Sequence, residues 1–226
     1  MELERLKTAT RWAAAALTCA IVADLAEDLI DPANSGSATK VYAAASLHHG
    51  RLIASAFLVL ATAVFIVPGV CGLARLVDDR GRRFGRLAAT LALLGALGHA
   101  ALAAVYLVWA AIPSSGMSRT DLVELIDRIN GSGWLAAFAP LFFAFPLSLV
   151  ALFVALSRAR IAPTWILAPG LAAPVVATAG QSHGTASTAA ALVLLLVAQA
   201  GVVSRIYGGR RAESPPRLTR ERSALA

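Results

Sequence analysis

The feature that most constrains this chain is a set of six long apolar stretches separated by short polar segments. A helix that crosses a hydrocarbon core of roughly 30 Å needs about 20 apolar residues, so each stretch is close to the length of one crossing. The pattern therefore predicts an all-α fold, a polytopic membrane helical bundle with about six transmembrane helices. The stretches run from Trp12 to Ile30, Leu52 to Leu76, Leu87 to Ile112, Trp134 to Leu156, Thr164 to Gly180 and Ser187 to Tyr207.

The composition agrees with a membrane protein. Of the 226 residues, 58% are hydrophobic, and the mean hydropathy is +0.70. Ordinary soluble domains contain roughly 45–50% apolar residues. Six crossings account for most of the chain, so we expect residues 1–207 to form a single transmembrane domain. Residues 208–226 are rich in Arg and Pro, and we expect them to form a disordered basic cytoplasmic tail.

The distribution of positive charge predicts the orientation. The chain carries a net charge of +7, and a six-span arrangement places sixteen of its twenty Lys and Arg residues on the side of the N-terminus. Basic residues concentrate on the cytoplasmic side of membrane proteins, which places both termini in the cytoplasm of a bacterial cell, with the chain in the plasma membrane. Because topology accounts for the positive charge, no basic surface is left for a nucleic-acid partner.

The outer loop 114–133 is long enough to contain an element of its own. Leu122, Leu125, Ile126 and Ile129 recur at the spacing of one helical face. Ser118 and Asp121 are spaced as an N-terminal capping box, and the Gly that follows the stripe fits a helix stop. The loop therefore predicts a short amphipathic helix that lies on the outer membrane surface or caps the bundle.

The first apolar stretch carries acidic residues at membrane depth, where each costs about 2.5–3.5 kcal/mol on insertion scales. In "ADLAEDLIDP", Asp24, Glu27, Asp28 and Asp31 fall within about 100° of one another around a helix. Such a face should point into the bundle or a hydrated cavity rather than at lipid. Asp24, Glu27 and Asp28 are the candidate catalytic residues.

Imidazole and guanidinium groups occur at a similar depth. "SLHHGRL" places His48, His49 and Arg51 at the outer entrance of the second stretch, and "QSHGT" brings His183 to the outer end of the fifth. Together with the carboxylates they are expected to form an outward-facing polar cluster if their helices are neighbours. They are candidate substrate-binding residues.

This cluster has several possible roles. The basic groups can neutralise the carboxylates in a purely structural arrangement. Carboxylate with imidazole also suits a divalent ion such as zinc, but no specific metal motif is present, so we assign no metal ligand. An acid/base pair in an apolar pocket can act on a lipid or isoprenoid as an isomerase or cyclase does. A proton-coupled transporter would use the same residues as a relay. The cofactor remains unknown.

His99 lies nearer mid-depth, in "LLGALGHAAL", and is a further candidate binding residue. Ala92, Gly95, Ala96 and Ala103 form a small-residue stripe around it, which favours close approach of another helix that accepts its hydrogen bond. Ligation of haem is the alternative, and it would require a second His at the same depth.

An acidic first span, a short basic loop after the second span and a His in the third are combined here with eighteen Arg against two Lys. In these features the chain resembles an uncharacterised family of six-span integral membrane proteins of actinobacteria, over roughly residues 8–207. The resemblance implies a six-span topology and carries no activity.

These observations predict a membrane component that binds membrane lipids, a hydrophobic small molecule or a protein partner. The alternatives are an intramembrane enzyme with a lipid or isoprenoid substrate, and a proton-coupled transporter or metal-binding protein.

Overall fold

A computed structural model describes residues 2–33, 37–77, 80–179 and 185–208. Within these residues, all of the regular structure is helical. The eight α-helices of the described chain are α1 (Glu2–Ile30), α2 (Ala38–Leu47), α3 (His49–Ala74), α4 (Arg82–Ala111), α5 (Arg119–Gly131), α6 (Gly133–Arg158), α7 (Leu167–Ala179) and α8 (Thr185–Gly208). Short 3₁₀ turns, Ile112–Ser115 and Thr164–Ile166, follow α4 and precede α7.

Four of the described helical segments are long and apolar enough to cross a membrane: His49–Ala74, Arg82–Ser115, Pro140–Arg158 and Ala186–Gly208. At a rise of 1.5 Å per residue, α3 alone is about 39 Å long. The predicted all-helical fold is therefore confirmed, and four of the described helical segments have the length and apolar composition that a membrane crossing requires.

The other two predicted stretches also fall in helices. The apolar part of α1 carries Asp24, Glu27 and Asp28, which reduce its hydropathy. The helix α7 has 13 residues and is about 20 Å long, shorter than the roughly 30 Å of a hydrocarbon core. The 3₁₀ turn that precedes it continues the same apolar segment.

The helices that correspond to the six predicted stretches form a ring. Each packs on its neighbours in the order α1, α3, α4, α6, α7, α8, and α8 closes the ring against α1. Glycines allow the closest approaches. A Cβ at Gly69 would lie 2.7 Å from the backbone nitrogen of Leu17, and one at Gly95 would lie 2.9 Å from that of Phe145. The α1–α3 and α4–α6 contacts therefore depend on the absence of a side chain, as at small-residue interfaces in membranes.

One end of the ring, which we call the cap end, is covered by α2 and α5. Val41 of α2 and Leu122 and Ile126 of α5 are fully buried there, in a small apolar cluster of their own. The predicted amphipathic helix is α5. Its N-cap Ser118 accepts a hydrogen bond from the Asp121 amide, and its C-terminus passes through Ser132 into α6.

The helix α2 was not predicted from the sequence, since no element was assigned between the apolar stretches that end at Ile30 and begin at Leu52. Ala38, Val41, Ala44 and Ala45 form its buried face, at a helical spacing. Because that face consists mainly of alanine, it gives a weak hydrophobic periodicity, although alanine has the strongest intrinsic helix propensity.

The opposite end of the bundle, which we call the basic end, contains the turn between α3 and α4 and the C-termini of α6 and α8. Arg11 and Arg158 lie there over aromatic rings, at 5.2 Å from the Tyr207 ring centroid and 4.8 Å from that of Phe84. The predicted tail after Gly208 lies outside the described residues.

Candidate functional site

The acidic face of α1 is turned into the bundle. Glu27 and Asp28 are each only 9% exposed, whereas Val22 and Leu29 on the other side are 48% and 62% exposed. The helical spacing of the sequence predicts this orientation. The carboxylates of Glu27 and Asp28 are therefore held among other helices rather than on the outer surface of the bundle.

Asp24 is joined to His99 of α4. The His99 Nε2 lies 3.1 Å from Asp24 Oδ1, and the His99 Nδ1 lies 2.8 Å from the carbonyl oxygen of Gly95. His99 is buried, and its ring meets that of Phe145 edge-on with centroids 5.0 Å apart. Another helix, α6, thus packs on the small-residue stripe around His99. The side chain that shares a hydrogen bond with His99 belongs to a different helix, since it is Asp24 of α1.

The hydrogen-bond partners of His99 restrict where its protons lie. A carbonyl oxygen only accepts, so Nδ1 carries a hydrogen that it donates to Gly95. The Nε2 then either donates to the Asp24 carboxylate as imidazolium or accepts from the Asp24 carboxylic acid. In both forms a single proton lies between Asp24 and His99, and the pair can pass it to either side.

A second group of acidic side chains surrounds Tyr106, seven residues further along α4. Its phenolic oxygen lies 2.9 Å from Glu27 Oε1 and 3.0 Å from Asp31 Oδ2, and the residue is buried. A phenol has one hydrogen to donate and can accept another. Both contacts are hydrogen bonds when one of the two carboxyl groups supplies its own proton.

The two groups are in register because α1 and α4 run in the same direction on either side of α3. Asp24 and Asp31 are separated by seven residues, as are His99 and Tyr106. Seven residues are about two helical turns, or about 10.5 Å. Asp24 and Asp31 therefore both face α4, and His99 and Tyr106 both face α1. The result is a column of titratable side chains that leads from mid-bundle towards the cap end.

The Asp24–His99 pair forms part of the wall of a cavity of about 520 Å³. The cavity lies among α1, α4, α6, α7 and α8, and apart from Asp24, His99 and Thr188 its lining is apolar. Its volume lies within the range of about 300–1,000 Å³ for ligand pockets, and an apolar wall with a few polar groups is their usual character.

The cavity opens at the side of the bundle, between helices. Phe143 and Leu147 of α6 and Val175 of α7 line it, and all three are exposed. Prolines lie beside this opening, since Pro146 and Pro174 are both inside helices and both line the cavity. A proline interior to a helix removes a backbone hydrogen bond and favours a bend in the helix.

The basic residues predicted to meet the carboxylates have other partners. Arg51 donates through Nε and Nη2 to the carbonyl oxygen of Ile30, at 3.0 and 2.7 Å. The His49 Nδ1 lies 3.0 Å from the carbonyl oxygen of Ala110. Each closes a helix end, where carbonyl groups have no partner within the helix.

His48 is exposed, and its backbone joins α2 to α3. His183 lies outside the described residues. The structure therefore brings Asp24 together with His99 and Glu27 with Tyr106. It does not bring His48, His49 or Arg51 to the carboxylates by a hydrogen bond or ion pair in the described part of the chain.

Metal ligation was one role considered for these groups. Among the described residues, no group of three or more His, Cys, Asp or Glu side chains is placed to hold a metal ion.

Tyr106 is the site residue that sequence reasoning missed. Its position seven residues after His99, on the same face of one helix, is the signal that links it to the acidic face of α1.

Comparisons of this chain with family models, curated proteins and solved structures give no match.

Proposed function

We propose that this chain is an integral membrane protein that holds an amphiphilic, lipid-like molecule in the cavity beside Asp24 and His99. The observation that carries the proposal is an apolar cavity of about 520 Å³ whose polar wall is the proton-sharing Asp24–His99 pair. Apolar parts of a ligand would contact the phenylalanine and leucine side chains, and a hydroxyl, carbonyl or amine would hydrogen-bond to the pair.

The side opening supports a ligand that arrives from the bilayer. The cavity reaches the bundle surface at Phe143 and Leu147, in the middle of α6, and at Val175 of α7. In a membrane this surface faces acyl chains, so a hydrophobic molecule enters without crossing water.

The proposed setting is the bacterial plasma membrane, with six crossings and both termini in the cytoplasm, as in the actinobacterial six-span proteins that the sequence resembles. The support is the excess of Lys and Arg at the basic end. The shorter α7 and the acidic α1 would cross within the ring, where neighbouring helices cover their polar groups.

The orientation is tested in intact cells with a membrane-impermeant maleimide, after C19A and C71A substitution. Met117→Cys, at the cap end, is expected to be labelled from outside, and Arg80→Cys, at the basic end, only after the cells are broken. The reverse pattern would contradict the orientation. If both cysteines are labelled from outside, α4 does not cross the membrane, and the six-span topology is contradicted.

Ligand binding is tested by native mass spectrometry of the gently solubilised protein. The wild type is expected to carry a hydrophobic adduct of defined mass that D24N and H99F lose. D127N is the matched control, because Asp127 is an exposed carboxylate of α5. A bare wild-type chain, or equal adducts in all variants, would contradict the proposal.

A second candidate function is favoured by the same pair. Since Asp24 and His99 share a proton at the cavity wall, they can give it to one carbon of a bound lipid and remove another, which is an isomerisation. Such an enzyme would place solvent deuterium on carbon of the co-purified adduct in D2O. Wild-type protein whose adduct acquires no carbon-bound deuterium would exclude this function.

A further inference from the structure

The basic end contains a second cavity, of about 400 Å³, between the C-terminus of α3 and the first turns of α4. Arg75, Arg82 and Arg86 line it together with Cys71 and small or apolar residues. Nothing in the proposed lipid site at mid-bundle uses this cavity, because the two share no lining residue.

We propose that this cavity binds a phosphate group, carried either by an anionic lipid headgroup or by a free phosphate compound. Three exposed arginines line this one cavity. Each presents a planar fork of N–H donors that matches phosphate oxygens, and these charge-assisted hydrogen bonds are among the strongest in proteins.

The N-terminus of α4 contributes positive potential, whereas the C-terminus of α3, which borders the same cavity, carries the opposite partial charge. The helix α4 is 30 residues long and begins at Arg82, with Gly81 as its N-cap, and helix N-termini attract anions. Arg82 and Arg86 are four residues apart and therefore project from the same face of that helix.

The close packing of α3 and α4 forms the floor of the site. A Cβ at Gly85 would lie 3.5 Å from the carbonyl oxygen of Ala74, so the two backbones are near neighbours here. Aliphatic contacts from Val77 and Ala89 line the remaining wall, which suits the glycerol portion of a lipid next to its phosphate.

General attraction of a basic surface to anionic membranes is the alternative explanation of the same arginines. The positions of the arginines distinguish a phosphate site from this general attraction. Arg80 and Arg83 belong to the same turn and carry the same charge, but they do not line the cavity. The double variant R80Q/R83Q therefore removes as much charge as R82Q/R86Q and leaves the lining arginines in place.

The test uses full-length protein in detergent micelles, titrated with short-chain phosphatidylglycerol, phosphatidylcholine or inorganic phosphate. Phosphatidylglycerol is expected to bind the wild type and R80Q/R83Q within about threefold of each other. Loss of a charge-assisted hydrogen bond weakens binding about tenfold per guanidinium, so R82Q/R86Q is expected to bind roughly a hundredfold more weakly. Inorganic phosphate that displaces the lipid would assign the site to free phosphate, and failure to displace it would assign the site to a lipid headgroup.

Cys71 provides a second readout, because its side chain lines the same cavity. In a C19A background, saturating phosphatidylglycerol is expected to slow alkylation of Cys71 by N-ethylmaleimide. The single variant R86Q, with one arginine removed, is expected to lose about tenfold in affinity and to keep the fold. Equal loss of binding in R82Q/R86Q and R80Q/R83Q, or no protection of Cys71, would overturn the proposal.

Discussion

Removal of the Tyr106 hydroxyl group isolates the contact between α4 and the acidic face of α1. Y106F keeps the ring, which packs against Trp109 at a centroid distance of 5.6 Å, and deletes the oxygen that contacts Glu27 and Asp31. Hydrogen bonds between helices in membranes average about 0.6 kcal/mol and reach about 1.7 kcal/mol. Two such bonds give an expected loss of about 1–3 kcal/mol in the free energy of unfolding.

The assay is unfolding in mixed micelles by increasing dodecyl sulfate, followed by far-ultraviolet circular dichroism. Y207F is the matched control, because Tyr207 is 44% exposed at the basic end. Substitutions at exposed positions of this kind change the unfolding free energy by no more than about 0.5 kcal/mol. An unfolding free energy of Y106F that equals that of Y207F would refute the reasoning.

Companion variants test the sharing of one phenolic proton by two carboxyl groups. One of Glu27 and Asp31 must supply its own proton, and an amide can replace a protonated carboxyl group as a donor. At least one of E27Q and D31N is therefore expected to be less destabilising than Y106F. If E27Q and D31N both lose more unfolding free energy than Y106F, the proposed sharing of protons among Tyr106, Glu27 and Asp31 is contradicted.

Three further predictions concern helix packing and helix ends. G95A places a Cβ against the α6 backbone and is expected to lower the unfolding free energy by about 1–3 kcal/mol, whereas G50A meets open space and is expected to be neutral in the same titration. S118A removes the N-cap of α5, which is typically worth about 1 kcal/mol, and is expected to speed amide hydrogen exchange in its first turn. R51Q removes two donors from the last turn of α1 and is expected to speed exchange there, while K40Q, at another exposed cation of the cap end, should leave that turn unchanged.

Hydrophobic length and helical periodicity were enough to predict the helices that carry the site and the inward orientation of the α1 carboxylates. These properties depend on local sequence, since a carboxylate at membrane depth is stable only where other helices or water surround it. The amphipathic helix α5 was predicted for the same reason.

The pairing of Asp24 with His99 was not predictable in this way. It depends on α1 and α4 both packing on α3 so that their side chains meet, and no local pattern specifies which helices are neighbours. Depth alone favoured His48 and His49 as partners of the carboxylates. The structure shows that His49, like Arg51, instead satisfies a carbonyl group at a helix end.

The cavity was invisible to sequence reasoning for a related reason. Its lining comes from five helices, and most of it consists of residues such as Phe145, Leu192 and Ala191 that are ordinary core residues when viewed singly. The prolines in α6 and α7 are compatible with room for a ligand, but they are equally compatible with bent, closely packed helices.

The central claim is that a lipid-like molecule occupies the cavity beside Asp24 and His99, and filling the cavity tests it most directly. Ala191 lines the cavity from α8 and Ala200 is exposed on the same helix, so A191F occludes the site and A200F is its control. Native mass spectrometry is expected to show a hydrophobic adduct on wild type and A200F and none on A191F, with both variants folded by circular dichroism. An adduct that persists unchanged in A191F would contradict the claim.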